Sequence, residues 1–141
     1  MEENKCTHLA PEMLPTLVDD DTLKLIYEKQ CDFQEKLGRL ALIRKASPRQ
    51  MCDYLKDQII QLISELMEIL DRLPQKHWKK YPEWDKGWPS EELRNETLFE
   101  YIDALHFFMN IGVVLGFSPE EIRAFYLAKN KENIDRQNRG Y

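Results

Sequence analysis

The chain is poor in the residues that punctuate irregular or β-rich folds: its 141 residues include 5 glycines and 7 prolines. Long periodic apolar segments between so few breakers argue for helices and against many short strands. Cysteine is scarcer still. Cys6, Cys31 and Cys52 cannot all pair with one another, and none stands in a Cys-x-x-Cys. That suits free thiols in a reducing, cytoplasmic setting and excludes a disulfide framework. Positive charge is in deficit, with 20 Lys and Arg against 25 Asp and Glu for a net charge of -5. A general nucleic-acid binder needs a basic surface and is disfavoured. No run of about 18 apolar residues is seen, so no membrane partner is expected. The opening MEENKCTHLAPEM lacks a basic start followed by an apolar stretch, so it does not read as a secretory signal. What is abundant is apolar side chain, 43% of residues, enough for one core at this length.

Residues 1–18, with Pro11 and Pro15, read as a loosely held arm ahead of a single all-α domain over 19–141. Asp19, Asp20 and Asp21 offer an N-cap to a first helix, about 21–43. Ser47-Pro48 sets a cap and an N1 proline before a second helix, about 48–73. In it Leu55, Ile59, Leu62, Leu66, Ile69 and Leu73 recur at steps of four and three and make one apolar face. Pro74 ends it. The stretch PQKHWKKYPEWDKGWP, 74–89, holds three prolines, a glycine and all three tryptophans, and reads as an aromatic connection. Ser90 caps a third helix, about 90–116, and Ser118-Pro119-Glu120-Glu121 opens a fourth, about 119–136. Four helices with short joins predict an all-α four-helix bundle.

The third helix carries the chemistry. From Thr97 to Phe117 it is apolar nearly all round, which predicts burial. Yet Glu100 and Asp103 sit inside it, three apart and so on one side, with His106 and Asn110 continuing that side. No Lys or Arg occurs between Arg94 and Arg123 to neutralise them locally. A buried carboxylate must be paired, protonated or bound to a metal, and ion pairs to other helices compete with a metal site here. The second helix repeats the spacing in Glu65 and Glu68. Alone, its arc of Gln58, Gln61, Glu65, Glu68, Asp71 and Arg72 resembles an ordinary solvated face. Together the two pairs put four carboxylates on helices that can approach to about 8–10 Å. Such an oxygen set suits Mg²⁺, with Mn²⁺ as an alternative, rather than zinc. Asp103-x-x-His106 is half of a di-iron bundle motif whose second half is missing, because 65–68 ends in Glu.

In the tail, LAKNKENIDRQNRGY, Lys129, Asn133 and Arg136 share one helical face that can hold phosphate oxygens, although a basic helix end is common. Trp78, in KHWKK, could stack on a base or pack on the helices.

Taken in order, Glu65-x-x-Glu68, KHWK at 76–79, Glu100-x-x-Asp103-x-x-His106-Phe107 and Lys129-Asn130-x-x-Asn133-x-x-Arg136-Gln137-x-x-Gly140-Tyr141 resemble the MazG-like all-α NTP pyrophosphatases. Within them the chain is most similar to the dimeric dUTPases and the T-even-type phage dCTP/dUTP pyrophosphatases. EYIDALHFFMNIGVVLGFSPEEI and YLAKNKENIDRQNRGY look especially like the phage type. The likeness covers roughly residues 22–141.

The resemblance implies Mg²⁺-dependent release of pyrophosphate from a pyrimidine deoxynucleoside triphosphate, dUTP and also dCTP. It implies that Glu65, Glu68, Glu100 and Asp103 hold magnesium and that one of them helps position the attacking water. Lys129, Asn133, Arg136 and Tyr141 match the phosphate-binding tail. Gln30 and Gln34 fall where the family meets the pyrimidine, with Gln34 departing from the usual Asn or Asp. Trp78, His106 and Asn110 would line the nucleoside pocket. The mobile helical insertion and the extension past Gly-Tyr of many dimeric dUTPases have no counterpart in the sequence. A homodimer in a host cytoplasm is expected, since a helix apolar all round needs more cover than three neighbours give. Two other readings remain: a broad-specificity MazG-like NTP pyrophosphatase, and a non-enzymatic helical adaptor.

Overall fold

The computed structural model describes residues 21–140, and these are helical with no strand among them. The expected arm over 1–18 and Tyr141 lie outside the described residues. Five α-helices follow one another: α1 Thr22–Lys36, α2 Arg39–Lys45, α3 Pro48–Arg72, α4 Glu91–Leu115 and α5 Pro119–Asn138, with a short 3₁₀ turn at Pro82–Trp84.

Each start has a visible cause. The Asp21 carboxylate accepts from the Lys24 amide at 3.1 Å. Ser47 and Gln50 cap each other reciprocally: the Gln50 amide donates to Ser47 Oγ (3.3 Å) and the Ser47 amide to Gln50 Oε1 (2.9 Å). Ser90 Oγ accepts from the Leu93 amide at 3.0 Å. Ser118 and Glu121 form the same reciprocal box ahead of α5, with Pro119 in the first turn.

The expected first helix over 21–43 is instead two helices. It breaks at Gly38, whose φ of +70° is left-handed, a conformation an L side chain resists and a helix interior cannot contain. The later boundaries fall within two residues of expectation.

The described residues divide into two compact units: 52–108 in one, 21–51 with 109–140 in the other. In the first, the buried side chains are Gln58, Thr97 and Ala104. In the second, α1 packs on α2 and α5, and Gln30, Gln34, Met109, Asn110 and Val114 are buried. Of these eight, five are polar, so the inward surfaces are built largely from hydrogen-bonding groups.

Two expectations are overturned here. The leucine stripe of α3 is only partly covered: Ile59 and Leu66 are exposed and Leu55, Leu62, Ile69 and Leu73 half-buried, while Gln58, read as part of a solvated arc, is 1% exposed. Nor is α4 buried all round. Of its apolar residues Ala104, Met109 and Val114 are buried, whereas Leu98, Tyr101, Ile102, Phe108 and Leu115 are exposed. By length and composition α4 is apolar enough to cross a membrane. Glu100 and Asp103 lie near its middle, and a bilayer centre penalises such charges.

Candidate metal centre

Residues three, four and seven apart share a side of a helix. On α3 that rule places Gln58, Glu65, Glu68 and Arg72 together; on α4 it places Glu100 and Asp103 together. In the unit formed by 52–108 these two sides meet. Glu65, Glu100 and Asp103, all half-buried, each bring a carboxylate oxygen to within 4.8 Å of the others. Glu68 is exposed and is not one of the three, although its charge acts on both Glu65 and Glu100.

The electrostatics follow from crowding like charges in partial shelter. Burial, then the charges of Glu68, Asp103 and Glu100, push the Glu65 carboxyl up to about 7. Glu65 also shares a side-chain hydrogen bond with Glu100, which favours the proton on Glu65. Burial raises Glu100 as well, opposed by Arg72. The Arg72 Nη2 donates to Glu100 Oε1 at 2.6 Å, and Nη1 donates to the Glu68 carbonyl at 2.9 Å. Both side chains of the ion pair are mostly covered, 23% and 16% exposed.

Arg72 is the residue the sequence reading missed. No cation of α4 stands between Arg94 and Arg123, and the one that meets Glu100 comes from α3. Spacing put Arg72 on the side of α3 that carries Glu65 and Glu68, but not that it would reach Glu100 on α4. Ion pairing and carboxylate convergence, weighed as alternatives, coexist.

Three convergent carboxylates, one of them pushed up to about 7 by burial and its like-charged neighbours, offer an oxygen donor set that fits a hard divalent cation. Asp103 also faces His106, with Nδ1 3.6 Å from Oδ1 in an exposed contact.

The connection carries Trp78, exposed and edge-on to His77 at 4.9 Å between ring centres. Trp84 and Trp88 sit 5.0 Å apart. Trp88 lines an open cleft of about 260 Å³ with Ile69, Arg94, Thr97, Leu98 and Tyr101.

In the other unit, Gln30 and Asn110 come together: Gln30 Nε2 donates to Asn110 Oδ1 at 2.5 Å, both residues being buried. Gln34 is buried and hydrogen-bonded or otherwise partnered as well. On α5, Lys129 and Asn133 are exposed, and Arg136 lies against Glu132, its Nε donating to Oε1 at 3.0 Å. Arg139 reaches the same oxygen at 3.0 Å. Of the expected phosphate-binding set, Arg136 is thus engaged within its own helix.

Comparison with known proteins bears on this geometry. A family profile described as dUTPase matches residues 22–114 and 108–141. The chain is 35% identical over 102 residues to a dCTP pyrophosphatase of Enterobacteria phage LZ5, covering 66% of this chain and 59% of that protein. It is 33% identical over 104 residues to a dCTP pyrophosphatase of Enterobacteria phage T4, covering 66% and 60%. The match therefore spans about three fifths of the length of these relatives. No solved structure matches.

Proposed function

The chain belongs to the dUTPase family, and on that premise we propose that it hydrolyses pyrimidine deoxynucleoside triphosphates, dUTP and also dCTP, to the monophosphate and pyrophosphate. The observation that carries the reading is the meeting of Glu65, Glu100 and Asp103 within 4.8 Å, from two helices, beside a guanidinium. A triphosphate is a polyanion, and an acidic site can receive it only through divalent cations. Glu65, Glu100 and Asp103, with Glu68 at the edge, are proposed to hold Mg²⁺. A divalent cation held there would supply positive charge to offset that of the phosphates. Water supplies the new oxygen of the monophosphate, pyrophosphate leaves, and the proton lost by water passes to a carboxylate.

Lys129, Asn133, Arg136 and Tyr141 are proposed to hold the phosphates, and Gln30, Gln34, Trp78, His106 and Asn110 the nucleoside. Uracil and cytosine present opposite donor and acceptor patterns at positions 3 and 4. An amide can meet either, according to which end it turns. The dCTP pyrophosphatase relatives support cytosine as a substrate base, and the family description supports uracil. A homodimer acting on the nucleotide pool of a host cytoplasm completes the reading.

Pyrophosphate release from dUTP, dCTP, dTTP and dATP tests it. The reading requires turnover of dUTP and dCTP that depends on Mg²⁺ and fails in Glu65→Gln and Asp103→Asn. Equal rates on dATP would replace it with broad MazG-like activity. No release from any of them, together with no thermal stabilisation by Mg²⁺ plus a non-hydrolysable dUTP analogue, would refute it.

A further inference from the structure

Arg72 ends α3 and has no part in the reaction as set out above. It touches the carboxylate cluster with two arms that do different things. Nη2 takes one oxygen of Glu100, Oε1, at 2.6 Å, and Nη1 takes the backbone carbonyl of Glu68 at 2.9 Å. A guanidinium that only neutralised Glu100 would meet it fork to fork, both carboxylate oxygens against two N–H groups. Here one arm is anchored on the backbone of α3, and the hydrogen bonds engage Oε1 alone. The planar group is a brace between the last turn of α3 and a side chain of α4. It limits the rotation of the Glu100 carboxylate, and both partners are mostly covered, so water competes poorly for either. The brace also runs through the carbonyl of Glu68, one turn after Glu65 on the same helix.

We propose that Arg72 is a positioning residue of the cation site: its guanidinium fixes the carboxylate of Glu100 against the α3 backbone, so that the cluster is set before a divalent cation arrives. This rests on the metal reading above. Charge and geometry act in opposite directions at Arg72, which is what makes the idea testable. As a charge it repels a cation; as a brace it holds a ligand in place. Lysine keeps the charge but has a single ammonium without the rigid two-armed plane. Glutamine removes the charge and keeps a donor.

The experiment is Mn²⁺ and Mg²⁺ titration by calorimetry of the whole chain without nucleotide, on wild type, Arg72→Lys and Arg72→Gln. Metal-free melting and circular dichroism are the folding control. Loss of the partner that orients a ligand weakens metal binding roughly tenfold or more. Arg72→Lys is therefore expected to bind Mn²⁺ about tenfold more weakly than wild type, with unchanged helix content. The Mg²⁺ concentration for half-maximal pyrophosphate release should rise in parallel, with turnover recovered at saturating Mg²⁺. Arg72 would be a mere counter-charge if the lysine variant bound like wild type and the glutamine variant bound more tightly, and that result overturns the proposal. If the lysine variant does not fold, weaker binding by Arg72→Gln supports the brace, because loss of charge alone would strengthen binding. If wild type binds neither ion, the metal reading falls and this inference with it. Wild-type binding unaltered in both variants sinks the inference alone.

Discussion

At Glu65, burial and three like-charged neighbours hold a proton that an ordinary surface carboxyl would lose at far lower pH. Its folded value, about 7, lies above the unfolded one. The stabilising contribution of this group is therefore complete below the unfolded value and is lost as pH rises through about 7. A cation acts in the opposite sense, because it binds the deprotonated cluster. The stabilisation that Mg²⁺ confers should accordingly grow between pH 5.5 and pH 8 and then level off. Melting curves with and without Mg²⁺ across that range check it, and a Mg²⁺ effect independent of pH would remove Glu65 from the ligand set. The same repulsion predicts a trade of stability for function. Glu65→Gln should lower turnover at least about a hundredfold while raising the melting temperature of the metal-free chain at pH 8. A second prediction concerns Gln30 and Asn110. Asn110→Asp leaves only acceptors opposite Gln30, so Gln30 must keep donating to it and cannot turn over. Whichever of dCTP and dUTP the wild type prefers should become preferred more strongly, by about tenfold, as read from the ratio of kcat/KM values. A ratio unchanged from wild type would show that this pair does not select the base. Helical spacing marked Glu65 with Glu68 and Glu100 with Asp103 as two same-side pairs, and the α3 pair taken alone resembled an ordinary solvated face. That the guanidinium of Arg72 would reach across to Glu100 could not be read from it, since spacing along one helix says nothing about its neighbour.

At the scale of the element, local chemistry set most boundaries. Ser47-Pro48, Ser90 and Ser118-Pro119 each start a helix in the sequence and in the structure, because a hydroxyl that satisfies a free amide acts within four residues and needs no tertiary partner. The break between α1 and α2 was missed for the complementary reason. A lone glycine within a periodic pattern is tolerated in many helices, and only the backbone shows that Gly38 is left-handed. Gly38→Ala meets no neighbouring atom, so its cost is conformational strain, about 1–2 kcal/mol. Ser118→Ala should cost about 1 kcal/mol through loss of the box with Glu121. Urea unfolding measures both, and a stabilised Gly38→Ala would mean that α1 and α2 can run on as one helix.

At the scale of the whole molecule, what the sequence could not give is which faces a single chain covers. Apolar periodicity marks a surface that some partner must cover, without saying whether that partner is the same chain. On α3, Ile60, Ile63 and Met67 recur at steps of three and four and are about half exposed or more, while the polar side with Gln58 turns inward. On α4, Leu98, Tyr101 and Phe108 are likewise open. These stripes belong to the unit that carries the carboxylates: the polar sides bring the carboxylates together, and the apolar sides are exposed among the described residues. A second copy of the chain offers the same stripes, and an isologous contact would cover both at once. The chain should therefore sediment as a dimer at micromolar concentration. Ile63→Glu combined with Met67→Glu sets four carboxylates against one another across such a contact. Like charges brought together there cost several kcal/mol, so the double variant should sediment as a monomer. Because both positions are already exposed in the single chain, its helix content should match wild type. Sedimentation of both proteins decides the matter: a monomeric wild type, or a double variant that still dimerises, would assign these stripes to something other than a second copy.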